Sequence, residues 1–97
     1  MVEEVFKVSR IAPERSVSDT MLILVQEVGE LAQEISIDSG FIKDKKRGED
    51  GIIGEAIDVI QCALDIIWLT YPDITEAHLR ETMKIKSKKW KNKFSHE

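Results

Sequence analysis

The segment Ile52–Leu69 is apolar on most of its circumference, and no other feature constrains the fold as tightly. On a helical repeat, Ile53, Ile57, Ile60, Leu64 and Ile67 cover one side, while Val59, Ala63 and Ile66 cover much of the remainder. A helix that is apolar nearly all round belongs in an interior. The chain has 97 residues, enough for one domain spanning 1–97 and no more. A domain of that size buries only roughly 60–65% of its unfolded surface, so little protein remains to surround such a helix. A homo-oligomer is therefore expected, most simply a two-fold homodimer, with a homotetramer as the next step.

The rest of the chain also reads as helix. From Ser18, taken as the N-cap, Met21, Leu24, Val25, Val28, Leu31, Ala32 and Ile35 form a stripe at i, i+3, i+4, i+7, with Glu27, Glu30 and Glu34 beside it. Gly29 lies inside this helix at a cost of about 1 kcal/mol relative to alanine, which suggests close approach by another helix or a ligand. Ser39-Gly40 is a stop signal, and Phe41–Gly51 reads as a polar loop carrying Lys43, Lys45, Lys46 and Arg47. The apolar helix stops near Tyr71-Pro72, because the residue before proline disfavours the α region. Asp73 or Thr75 then caps a helix from about Glu76 to Lys93, and Glu3–Ile11 forms a short one that breaks near Pro13. The expected fold is an all-α bundle of three to four helices, completed by homo-oligomerisation.

Charge and cysteine content narrow the function classes. With net charge −4 the chain is not built to coat duplex DNA, and no stable nucleic-acid binding is expected despite the lysine-rich end around Lys84–Lys93. One cysteine, Cys62, allows neither an internal disulfide nor a cysteine zinc site and fits a reducing cytoplasm. No signal peptide, membrane span, Gly-rich phosphate loop or serine triad is read.

Glu55 and Asp58 stand inside the apolar helix at i, i+3, on one face. Glu27 and Glu30 repeat that spacing on the preceding helix, with Glu34 one turn on. Helices joined by a loop of this size commonly pack antiparallel, which sets the two acidic pairs face to face. Four carboxylates gathered there repel one another and lose hydration, and a compensating cation relieves both. Hard oxygen donors without histidine or cysteine suit Mg²⁺ or Mn²⁺. The bland alternative is a solvated acidic face on one helix and dipole-complementing acids on the other.

Gln26-Glu27-Val28-Gly29-Glu30-Leu31-Ala32-Gln33-Glu34 followed by Glu55-Ala56-Ile57-Asp58-Val59 resembles the E-E-x-x-E … E-x-x-D signature of MazG-like nucleoside triphosphate pyrophosphohydrolases. These belong to the all-α NTP pyrophosphatase superfamily. The resemblance covers Ser18–Thr70 well and the last helix loosely, and it departs from the signature at Gln26, where the family has glutamate. It implies metal ligation by Glu27, Glu30, Glu55 and Asp58, and hydrolysis of a (d)NTP between its α and β phosphates to the monophosphate and pyrophosphate. Nucleotide-pool housekeeping is the role that goes with that activity. Either Glu30 or Glu34 is expected to orient or deprotonate the attacking water. Family members typically hold phosphates with lysine or arginine from the later helix or a neighbouring subunit, which nominates Lys86 and Lys89. Trp68, Tyr71 and Phe6 are candidates to stack on the base, with core packing as the default reading. Trp90 and Phe94 are expected to bury against the domain's own core, or else to tether the tail to a partner subunit. The alternative function is a non-catalytic helical module that binds a nucleotide or a protein.

Overall fold

In the computed structural model, which describes residues 2–42 and 51–94, the chain is all-α. Four helices follow one another: α1 (Val2–Ile11), α2 (Val17–Asp38), α3 (Gly51–Thr70) and α4 (Glu76–Phe94). No strand occurs among the described residues. The basic segment holding Lys43, Lys45, Lys46 and Arg47 lies outside them.

Helix ends follow from local chemistry. Ser16, not Ser18, caps α2: its Oγ accepts from the Asp19 amide at 3.0 Å, and Asp19 Oδ2 accepts from the Ser16 amide at 3.2 Å. This reciprocal box explains why the helix starts two residues earlier than the apolar pattern suggests. At the other end the Ser39 amide donates to the Ile35 carbonyl, and Gly40 takes a left-handed φ of 83°, a conformation glycine adopts without a Cβ penalty. Thr75 caps α4 by accepting from the His78 amide at 3.2 Å. Glu76 in the first turn of α4 and Lys91 and Lys93 in its last complement the helix dipole.

The packing is dominated by α2 against α3, and α1 lies across α3. The two long helices run antiparallel, because Glu34 near the end of α2 acts on Glu55 early in α3, whereas Glu27 acts on Asp58 and Cys62 further along. Among the described residues, Phe6 is the one fully buried apolar side chain, which removes it as a base-stacking candidate. It sits on α1, the helix that packs on α3. Helix α4 adds almost no contact to the other three. The radius of gyration is accordingly 16.3 Å, against ~13 Å for a compact chain of this length.

Several expectations change at this level. Helix α3 is not enclosed within the chain: Ile53, Ile57 and Ile60 stay exposed, Ile53 by 79%. The apolar stripe of α2 is split: Met21, Val25, Val28, Ala32 and Ile35 are exposed, whereas Leu24 and Leu31 lie with Thr20, Glu27 and Glu34 on the inner face. A Cβ at Gly29 would meet nothing within 4 Å, so no close approach among the described residues explains that glycine. Tyr71, Trp90 and Phe94 are exposed rather than packed in a core; the last two meet edge to face at 6.3 Å on α4.

One polar knot ties α1 and its following loop to α3. Asp65 accepts from Ser9 Oγ at 2.7 Å and from Arg15 Nε at 2.9 Å, and a second Arg15 nitrogen bonds its other oxygen. Arg15 also donates to the Pro13 and Ser9 carbonyls, closing the turn that leads into α2. Burial pushes the Asp65 carboxyl up, but the bonds from Arg15 and Ser9 together with the Arg15 charge hold it below its ordinary value. The stability this supplies is present above the unfolded carboxylate value of about 4 and is lost as pH falls through the depressed native one. Arg15→Met should cost about 1.5–3 kcal/mol at neutral pH, because it strips a charged hydrogen-bonded pair, and the deficit should shrink at acid pH. Denaturant titration of both proteins at neutral and acid pH measures the difference.

Candidate functional site

The seam between α2 and α3 gathers the acids. One carboxylate oxygen each from Glu27, Glu55 and Asp58 lie within 4.8 Å of one another, on three half-buried residues. Glu30 stands close enough to both Glu27 and Glu55 for a shared proton to bridge it to either. Glu34 is buried, with 4% of its surface exposed, and its charge also bears on Glu55. The antiparallel arrangement produces this convergence, since i, i+3 spacing on each helix puts both acids of a pair on the facing side.

The electrostatics are those of an overcrowded acidic site. Burial is the largest cause pushing the Glu27 carboxyl above its ordinary range, followed by Glu30 and then by Asp58 and Glu55. Burial likewise leads at Glu55, followed by the charges of Glu30 and Asp58. Glu27 Oε2 and Glu55 Oε2 are shut off from solvent and accept no hydrogen bond. An ionised carboxylate oxygen can only accept, so these atoms need either a proton or a cation. All the donors are hard oxygens, a set that suits Mg²⁺ or Mn²⁺ and offers nothing to a soft metal.

Beside the acids a cavity of about 520 Å³ runs between α1 and α3. Glu27 and Asp58 stand at its wall with Gln61, Cys62 and Asp65 from the same face of α3, and Val5, Val8 and Ala12 of α1 lie opposite. Burial, then the charges of Glu27, Asp58 and Asp65, push the Cys62 thiol up, so it lines the cavity as a neutral group. Arg15 and Asp65 had no part in the sequence reading. Asp65 lies seven residues beyond Asp58, two turns along one face, but nothing in that spacing points to Ser9 or Arg15.

The remaining candidates are not brought to this site. Lys86 and Lys89 are exposed on α4, which packs substantially against neither α1, α2 nor α3. Trp68 is half-buried, its Nε1 has no hydrogen-bond partner, and it does not line the cavity. The chain matches no family model, no curated protein and no solved structure.

The raised carboxyls carry a pH signature. Where Glu27 and Glu55 are protonated in the native state but ionised in the unfolded one, the native state binds more protons, so stability falls as pH rises. The metal-free protein should therefore be more stable near pH ~5.5 than near pH ~7.5, above the unfolded glutamate value of about 4.3. Glu55→Gln should flatten that slope and raise stability at the higher pH, which thermal melts in chelator at the two pH values would show.

Proposed function

We propose that the protein is a Mg²⁺-dependent nucleoside triphosphate pyrophosphohydrolase, converting a (d)NTP to the (d)NMP and pyrophosphate. The observation that carries this reading is the meeting of Glu27, Glu55 and Asp58 oxygens within 4.8 Å, from two E-x-x-E/D pairs on antiparallel helices. Glu27, Glu30, Glu55 and Asp58 would hold the cation, with Mn²⁺ as a substitute. When bound it neutralises triphosphate charge and lowers the pKa of coordinated water. The chain's own part is to hold that water in line with the α phosphorus and to take its proton. Glu30 or Glu34, seam carboxylates outside the tight group of three, would orient that water or take its proton. A phosphoanhydride oxygen leaves with pyrophosphate, and the incoming oxygen stays on the monophosphate. Nucleotide-pool housekeeping in a reducing cytoplasm suits this activity and the free thiol of Cys62.

The reading includes a homodimer or homotetramer. Its support is the exposed apolar face of α3 with Ile53, Ile57 and Ile60, and that of α2 with Met21, Val25 and Val28. Contiguous apolar surface of this kind is unusual on a monomer. Lys86 and Lys89 stand away from the acids of their own chain, so a phosphate-holding role for them requires a second copy. Trp90 and Phe94, open on the same helix, then tether it to that copy.

Asp58→Asn should lower pyrophosphate release by orders of magnitude, because a nearly isosteric amide lacks the charge that holds Mg²⁺. The fold should stay intact. Wild-type products resolved by chromatography should be monophosphate and pyrophosphate; diphosphate with orthophosphate would overturn the assigned bond. Light scattering at micromolar concentration should return a multiple of the 11.1 kDa chain mass, and a value equal to it would refute the oligomer. Ile60→Asp should dissociate the assembly, since it places an unpaired charge in an apolar contact.

A further inference from the structure

We infer that the groove between α1 and α3 holds the nucleoside half of the substrate, and that Gln61 reads the base. The inference rests on the hydrolase reading above and extends it to specificity. Asp58, Gln61, Cys62 and Asp65 fall at i, i+3, i+4 and i+7 and share one face of α3. At about 1.5 Å per residue, Gln61 lies ~4.5 Å along the axis from Asp58, and Asp65 ~10 Å from it. A ligand whose phosphates sit at the acids therefore lays its uncharged end along Gln61 and stops against the Asp65 knot.

The chemistry of the walls fits a heteroaromatic base. Its flat faces want apolar contact, supplied by Val5, Val8 and Ala12 and by the neutral thiol of Cys62. Its edge wants one donor and one acceptor side by side. The Gln61 amide offers both and makes no hydrogen bond among the described residues. Asp65 itself is committed, since both its oxygens are taken by Ser9 and Arg15. A volume of about 520 Å³ falls within the ~300–1,000 Å³ typical of small-molecule sites.

The test compares the full chain with Gln61→Ala and Val8→Trp, using the four common dNTPs with Mg²⁺. Calorimetric binding of the corresponding monophosphates gives a readout independent of turnover. Both positions are exposed, Val8 by 60%, so neither change threatens the fold. Gln61→Ala should compress the spread of KM among the bases about tenfold, the worth of a lost hydrogen-bond pair. Val8→Trp should fill the groove and weaken all four nucleotides and their monophosphates, while the Mg²⁺-induced rise in Tm persists. Unchanged base ranking and KM in both variants, in a wild type that hydrolyses dNTPs, would overturn the groove assignment and leave the hydrolase standing. Monophosphate binding lost in Val8→Trp, with no hydrolysis by the wild type, would support the groove and overturn the hydrolase. Neither binding nor hydrolysis in the wild type would overturn both.

Discussion

Where α2 meets α3, the apolar side chains that drive the packing share their face with acids that oppose it. Leu24 and Leu31 sit one helical turn either side of Glu27 on the inner face of α2, and Glu34 follows, buried. Each acid brought into that seam loses hydration and gains like-charged neighbours. Burial is the largest single cause of the raised carboxyls at both Glu27 and Glu55, and the neighbouring carboxylates add to it. A structural seam would relieve such a cost by placing lysine or arginine opposite. Among the described residues the positive charge nearest in the lining is Arg15, and it is committed to Asp65. The seam thus stays acceptor-rich, with a proton or a cation as the means of balancing it.

The Arg15–Asp65 pair has a second consequence. It fixes the turn between α1 and α2 against the middle of α3, and so holds α1 as a wall while leaving the space beside the acids open. Phe6 anchors the same wall by burial. Within α1 itself, Phe6 and Ser9 are the buried residues, and Ser9 binds the same Asp65 that Arg15 holds from the following turn. The cavity owes its shape to them, because α1 touches the rest of the molecule mainly through α3.

The helices and their order are legible in the sequence, because apolar spacing, Gly40, Pro13 and Pro72 mark them independently of tertiary contacts. The pairing of Glu27 and Glu30 with Glu55 and Asp58 is legible for a related reason, since i, i+3 spacing and an antiparallel turn fix which faces meet. The facing of α2 is not. Its apolar stripe from Met21 to Ile35 looks like one side that should meet α3, yet only Leu24 and Leu31 of it turn inward, beside Glu27 and Glu34, and the rest stays exposed. Periodicity ranks faces by hydrophobicity, and a single chain cannot say which face its own helices cover and which they leave open. The Asp65 knot escaped for another reason: it joins residues fifty and more apart, and no local spacing marks it.

Helix α3 shows how these two demands are separated. Its acids Glu55, Asp58 and Asp65 occupy one side and Ile53, Ile57 and Ile60, at i, i+4 and i+7, another, with Gln61 at the border, one turn beyond Ile57. The acid seam and the isoleucine face thus lie on the same twenty residues and meet at Gln61. The same division runs through the charges. Helix α4 carries Arg80 and six lysines against Glu76 and Glu81, in a chain whose net charge is −4, so the other three helices and their connections hold a marked acidic excess. Within one chain that complementarity goes unused, because α4 stands apart from the acids. A second copy brings both unmet requirements together, covering isoleucine with apolar surface and setting cations near carboxylates.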